Sequence, residues 1–343
     1  DVSVAIPDFD VHDEMLLVKG LAQGPTSEFL RFLDRSPVGA SIDRFTEGMK
    51  ASGNGSLDLD LKVPLRRSLE SEVRGEYRFV NNQIEPVSAL PPITKVNGRL
   101  SITEKSVSAQ DITGQIFGGP LKVLVKSGEG KVTVQAAGKA DVVQVSQHFG
   151  VPLTEYLQGK AAWKVDIGIR NRNADFVVES DLVGVGSPLP APVSKQAEAA
   201  LPLRIERTAP ESGREQYRIT LGNLAQGLIL RRQGAWERGV LAVGDAEPRL
   251  PEKGLAVRVN TPKFDADAWQ PFLPAATAGG GADGSGLALS LLSLKTPELR
   301  LLGRDFSQVE TSLRPRADGW QIALNTREAV GDLYWRSAGE GWL

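Results

Sequence analysis

Three observations predict a mainly β fold. Apolar residues recur with a period of two along most of the chain, the pattern of antiparallel strands with one dry and one wet face. Turn-forming clusters fall between the alternating runs: Asn81-Asn82, Asn97-Gly98, Gly118-Gly119-Pro120, Gly128-Glu129-Gly130, Asn171-Arg172-Asn173, Gly222-Asn223 and Ala317-Asp318-Gly319. Glycine and proline number 36 and 21 among 343 residues, about one residue in six against roughly one in eight in average proteins, too many breakers for a helical chain. The expectation is a long antiparallel meander of about fifteen or more strands.

The elements follow in order. Val2, Val4 and Ile6 open the chain in alternation. The first break starts at Pro25, where Thr26 or Ser27 is placed to cap a helix with Phe29, Leu30, Phe32 and Leu33 as its apolar stripe. Pro37 begins its second half, which carries Ile42, Phe45 and Met49 to a stop at Gly53. Leu57, Leu59, Leu61, Val63 and Leu65 then alternate with polar residues and Pro64 over a strand of about 30 Å at ~3.3 Å per residue. Shorter pairs follow, Val123 with Val125 and Val132 with Val134. A second helix is expected from Asp141 through Val142, Val145 and Phe149 to Gly150, continuing toward Leu157. The strand after it holds Trp163, Val165, Ile167 and Ile169. Leu203 with Ile205, Tyr217-Ile219-Leu221, Leu228 with Leu230, and Val257 with Val259 extend the meander. A third helix is expected at 264–273, with Asp265 before Ala268, Trp269, Phe272 and Leu273. After it come a glycine-rich stretch from Ala278 to Gly286, the run Leu287-Leu289-Leu291, and Trp320-Ile322-Leu324.

Each helix is followed by glycine and a long alternating strand, and the helix starts lie some 115 to 125 residues apart. Such recurrence is the signature of a repeat architecture, whose units cover one another's apolar faces. It divides the chain into the end of a preceding repeat (1–25) and units at 26–140, 141–263 and 264–343, an internal segment of something longer. No run approaches the ~18 apolar residues of a membrane helix.

Composition excludes several chemistries. With no cysteine and only His12 and His148, thiolate metal sites, disulfide scaffolds and cysteine nucleophiles are impossible. A net charge of −2 argues against a nucleic-acid partner. No nucleophile-elbow, P-loop or dinucleotide fingerprint is present. Asp8, Asp10, Asp13 and Glu14 surround His12 but lack the turn glycine and closing glutamate of a calcium loop, so a solvated loop is the ordinary reading and no metal or cofactor is expected. The glycine-rich stretch reads as a linker. Glu70, Glu72 and Glu76 share one face of a strand; a carboxylate pair for glycoside hydrolysis and charges on a wet sheet face both account for them. Arg66-Arg67 and Arg231-Arg232 flank apolar runs, where they read as solvated edge residues or as contacts to lipid head groups. His148 is expected to be a packing residue. No enzyme is expected.

The stretch from Leu90-Pro-Pro-Ile-Thr-Lys-Val-Asn-Gly-Arg-Leu-Ser-Ile102 through Asp111-Ile-Thr-Gly-Gln-Ile-Phe-Gly-Gly-Pro-Leu121 resembles the YhdP family of AsmA-like proteins. So do Leu157-Gln-Gly-Lys-Ala-Ala-Trp163-Lys-Val-Asp-Ile167, Glu179-Ser-Asp-Leu-Val-Gly184 and Leu189-Pro-Ala-Pro192. Phe264-Asp-Ala-Asp-Ala-Trp269, Glu298-Leu-Arg-Leu-Leu-Gly303 and the run from Trp320 to Trp335 complete the ordered blocks. The resemblance implies a Gram-negative envelope protein anchored in the inner membrane by an N-terminal helix that this chain lacks, and projecting through the periplasm. It also implies a sheet curled into an elongated apolar groove that carries phospholipid acyl chains toward the outer membrane, with short helices between repeats. It supplies no catalytic residues. On that reading Leu57, Leu59, Leu61, Val63, Trp163, Val165, Ile167 and Ile169 are the candidate groove lining; the ordinary alternative is a core between two sheets. Two other functions stay open, an envelope scaffold that binds a protein partner and a carbohydrate-active β enzyme.

Overall fold

The computed structural model describes residues 2–7, 14–65, 71–86, 90–128, 130–150, 154, 156–170, 173–211, 213–272, 287–316 and 319–336. Asp8, Asp10, His12, Asp13, Arg66, Arg67, Glu70 and the 278–286 stretch therefore lie outside the described residues. The chain is mainly β, an open mixed sheet with a few short helices, and it divides into two compact units. The first comprises Asp1–Leu153 with Lys160–Val177, the second Thr154–Gly159 with Val178–Leu343.

In the first unit the chain runs β1 (Val2–Ala5), β2 (Met15–Pro25), α1 (Thr26–Arg35), α2 (Pro37–Ser41), β3 (Lys50–Ser52), β4 (Asn54–Pro64), β5 (Glu72–Glu85), β6 (Ile93–Thr103), β7 (Val107–Ile116), β8 (Gly119–Gly128), β9 (Lys131–Asp141), α3 (Val142–Phe149) and β10 (Gln158–Arg170), into β11 (Asn173–Ser180). Every pairing from β1 through β2, β4, β5, β6, β7, β8 and β9 to β10 is antiparallel. Among the described residues no ladder joins β10 back to β1, so this sheet is open.

The helices are shorter than the spacing predicts. Ser36 ends α1 with its N–H on the Leu33 carbonyl. Residues 42–48 are turns in place of a second helical half, because Asp43 and Arg44 take left-handed φ of 54° and 50°. Ile42 is buried there, and Phe45 and Met49 pack beside it, so turns satisfy the same three- and four-residue spacing. Neither Thr26 nor Ser27 caps α1, whose N-cap is Pro25. The expected second helix ends at Phe149: Asp141 caps it by accepting from the Val143 N–H at 2.9 Å, and Gly150 closes it at φ 63°.

The second unit holds β12 (Val185–Gly186), β13 (Leu203–Glu211), β14 (Arg214–Leu221), β15 (Ala225–Arg232), β16 (Ala235–Gly244), β17 (Gly254–Asn260), β18 (Lys263–Asp265), α4 (Ala266–Trp269), β19 (Leu289–Leu301), β20 (Arg304–Arg316), β21 (Gly319–Asn325) and β22 (Val330–Arg336). The third predicted helix is only α4 with one 3₁₀ turn at Gln270–Phe272. The strictly antiparallel expectation also fails here: β17 pairs parallel with both β16 and β19, and β18 pairs parallel with β19. Alternation within a strand records which side is wet and carries nothing about a neighbour's direction, which the connection sets. Residues 245–253 return the chain to the end where β16 began, instead of turning it in a hairpin.

Candidate functional site

Directly opposed residues in a ladder project to the same face, so register alone locates the candidate lining in the first unit. Leu57, Leu59 and Leu61 oppose Ala22, Gly20 and Val18 on β2, and Tyr77, Gly75 and Val73 on β5; Val63 opposes Leu16. Gly75 opposes Ile102, and Ile102 opposes Val107. Two residues on, Ala109 opposes Val125, Val125 opposes Val134, and Val134 opposes Ile167. Trp163, Val165 and Ile169 oppose Gly138, Ala136 and Val132 in the same ladder. All eight residues thus lie on one apolar face that runs from β2 to β10. Val2 and Val4 continue it at β1, 67% and 62% exposed.

Two glycines mark where side chains close over the backbone. A Cβ at Gly75 would touch Leu59 and Ile102, and one at Gly138 would sit 3.3 Å from the Trp163 indole. The Trp163 Nε1 is itself buried without a hydrogen-bond partner.

Burial on this face is graded. Tyr77, Phe79, Leu100, Ile102, Val107, Ala109, Val125 and Val132 are buried, and they form one contact cluster with Phe29, Leu30, Leu33, Val38 and Ile42 of α1, α2 and the following turn. On a flat sheet, side chains of one face stand side by side and cannot cover each other. On β5 to β9 the cover includes α1 and α2, which pack on this face. All eight candidate residues are only half-buried; Leu57 and Ile169 pack against the cluster.

The opposite face is ionic. Lys19 pairs with Asp60 at 3.1 Å, Lys62 with Glu72 at 3.0 Å, and Arg99 with Glu76 at 3.6 Å, while Gln135 donates to Asp166 at 2.6 Å. Glu72 and Glu76 are therefore partners of cations on a wet face. Among the described residues no three carboxylate or imidazole side chains converge as metal ligands. His148 is exposed on α3, edge-on to Phe117 and Phe149 at 5.8 and 4.8 Å, and lines a cleft of about 410 Å³ with Pro91, Gln115 and Gln144.

A buried polar pin fixes α1 to the sheet. The Thr26 hydroxyl lies 2.8 Å from the Tyr77 hydroxyl and accepts from Asn82 Nδ2 at 2.7 Å. Asn82 Nδ2 also reaches the Ser52 and Asn54 carbonyls at 3.2 and 3.1 Å, while its Oδ1 accepts from the Val80 N–H at 2.7 Å. The Phe29 ring stacks on Tyr77 at 3.6 Å. Burial pushes the Tyr77 phenol up, against the opposing hydrogen bond from Thr26. Thr26 does not cap its helix because its oxygen is already committed here. Asn81-Asn82 reads as a turn signal in sequence, and nothing local marks Asn82 as a core residue.

The second unit also carries a row of apolar residues in register, although its fully buried residues Val240, Ala242 and Ala256 lie on the other face. Ile205 opposes Ile219, Ile219 opposes Gly227, and Gly227 opposes Leu241, which opposes Val257. Farther along, Leu292, Leu313, Ile322 and Leu333 oppose one another in sequence. Ile205, Ile219, Val257, Leu292, Leu313 and Ile322 are half-buried, while Leu241 and Leu333 are exposed. On this face, at one end of β13 to β16, sits an ionic cluster. Glu215 Oε2 accepts from Tyr217 Oη at 2.7 Å and Arg207 Nε at 3.3 Å, with Arg231 Nη1 at 3.6 Å. The Arg231 guanidinium lies 5.2 Å over the Trp236 ring. Burial pushes the Glu215 carboxyl up, but the bonds from Tyr217 and Arg207 and the charges of both arginines outweigh it and hold the group below its usual range. Arg231 and Arg232, adjacent in sequence, point to opposite faces: Arg231 opposes Glu215, and Arg232 opposes Arg214.

Each unit is thus an open sheet with one ionic or partly covered side and one apolar side left half-accessible, a class of protein that presents an apolar surface along its strands. The chain belongs to the YhdP family: the family model described as YhdP protein matches residues 1–343. No curated protein and no solved structure matches it. No helix among the described residues is long and apolar enough to cross a membrane.

Proposed function

We propose that this chain is a periplasmic segment of an inner-membrane-anchored envelope protein of Gram-negative bacteria, and that its apolar faces conduct phospholipid between inner and outer membranes. The observation that carries the reading is the half-accessible apolar face from β1 to β10, which the register follows from strand to strand and which no ladder among the described residues closes. A sandwich core would bury Leu57, Leu59, Leu61, Val63, Trp163, Val165, Ile167 and Ile169 fully. Family membership and strands of 11 to 14 residues in β4, β5 and β10 support it; at ~3.3 Å per residue these span about 36–46 Å, longer than an ordinary strand. On this reading α1 with α2, α3, and α4 with its 3₁₀ turn separate repeats of one groove-forming unit.

The mechanism needs no reacting group. Inward apolar side chains replace water around acyl methylenes, each worth roughly 0.8 kcal/mol on leaving water. Transfer requires sites that are similar along the face, so that a chain exchanges one set of contacts for the next without a deep minimum. The ionic side keeps the opposite surface in water.

The test is lipid carriage. The purified chain is expected to retain phospholipid by native mass spectrometry and thin-layer extraction. Ile167→Asp or Leu59→Asp is expected to abolish both retention and function of the full-length protein in cells, while Lys164→Glu on the wet face leaves them intact. Absence of any bound phospholipid, with Ile167→Asp silent in cells, removes the support for conduction and leaves a protein-binding scaffold as the outcome.

A further inference from the structure

The ionic cluster on the apolar face of the second unit is not accounted for by lining alone. The ion pairs described on the sheet of the first unit lie on its ionic face. Here Arg207, Glu215 and Arg231 stand in register with Ile205, Ile219 and Ile229, with side chains only 17%, 19% and 34% exposed. Two guanidinium groups meet at one carboxylate oxygen, and Glu215 holds both arginines in place. Arg231 is further fixed by donating from Nε to the Gly234 carbonyl at 2.8 Å and by its stacking on Trp236, which is itself 40% exposed. A preorganised, partly dry guanidinium at the end of an apolar strip matches a monoanionic phosphate whose attached chains lie on that strip.

We propose that Arg207 and Arg231, held by Glu215 and flanked by Tyr217 and Trp236, form a recognition site for the phosphodiester of an amphiphile whose acyl chains lie along Ile219 and Ile229. The proposal rests on the lipid-binding reading above and adds to it a headgroup station. The phosphate takes its hydrogen bonds from the guanidinium groups, the Trp236 ring walls the glycerol side, and the acyl chains run away from the cluster toward Leu221.

The experiment compares two probes labelled on the acyl chain with pyrene, phosphatidylglycerol and diacylglycerol, titrated against the whole chain and followed by fluorescence. They carry the same tails and differ by the phosphodiester headgroup. Wild type is expected to bind the phospholipid about tenfold more tightly. Arg231→Gln is expected to bring the two affinities within about twofold, by weakening phospholipid and leaving diacylglycerol unchanged; Arg231→Lys restores part of the ratio. Arg232→Gln, on the opposite face, keeps the wild-type ratio, and circular dichroism melting checks that each variant is folded. Should Arg231→Gln prove unfolded, Trp236→Ala is read in its place, with the same expected loss of preference. A wild type that binds both probes equally, or a folded variant that keeps the tenfold preference, overturns the headgroup site while leaving lipid binding standing. Displacement of the phospholipid by equimolar glycerol 3-phosphate assigns the site to soluble phosphate and overturns it too. If neither probe binds, the lipid reading itself fails.

Discussion

Asn82→Ala should release α1 from the sheet of the first unit. Asn82 is 1% exposed, and its two amide hydrogens serve three acceptors: the Thr26 hydroxyl and the Ser52 and Asn54 carbonyls. Its oxygen takes the Val80 N–H. Alanine leaves one donor and two carbonyls short of a partner, and at the low end of about 1 kcal/mol for each the loss is about 3 kcal/mol. Thr26→Val removes the hydroxyl that joins Asn82 to Tyr77 and should cost about 1–2 kcal/mol alone. Because the two residues share one bond, the double variant should lose at least about 0.5 kcal/mol less than the sum. Urea unfolding gives the totals. Native-state hydrogen exchange gives the location, with protection over residues 29–35 falling on the order of a hundredfold if opening of α1 carries the change. An Asn82→Ala cost below about 1 kcal/mol, or strict additivity with Thr26→Val, refutes the network as the anchor of the helix.

Two further outcomes follow from burial and charge. Val132, 1% exposed on the apolar face, should lose about 2 kcal/mol on truncation to alanine, two carbon atoms plus the cavity they leave, whereas Lys131→Ala on the wet face should stay within about 0.5 kcal/mol by the same urea measurement. Glu215 has a folded pKa below its unfolded one, so its contribution is fully present above the ordinary glutamate range and is lost as pH falls through that range and below. Acid titration of the second unit's stability should therefore show a limb that Glu215→Gln flattens, since glutamine takes no proton there; Arg207 and Tyr217, both held above their usual ranges, keep their protons throughout that window.

Strands were legible in the sequence because each has one wet side. Leu57 to Val63 and Trp163 to Ile169 alternate, and the ladders place both runs on one face even though about a hundred residues separate them. What alternation does not carry is a neighbour's direction, hence the parallel pairing of β16, β17 and β19. Helix content was overread for a related reason: a buried residue at every third or fourth position needs only a chain that turns back toward the cluster, and the turns at 42–48 do so. The polar features were the least legible. Asn82 and Thr26 carry turn and cap preferences locally, but a hydrogen bond across 56 positions commits them to the core. Arg231 and Arg232 read as one basic pair until the strand's two-residue period sends them to opposite faces.

A face left half-accessible is costly in itself, because apolar area that stays wet forgoes about 25 cal/mol for each Å² that burial would return. The first unit makes up part of this with α1 and its buried polar pin, which stabilise one stretch of the face and leave β2, β4 and β10 open. That division makes sense for a surface on which something apolar passes. A uniform strip gives a passenger neither orientation nor resting place, since every position along it is alike. The Arg207–Glu215–Arg231 cluster breaks the uniformity at one end of the second unit's strip. On the proposed reading, an amphiphile held there by its phosphate lies with its chains along Ile219 toward Leu221, so the cluster sets the orientation in which it rests on the strip.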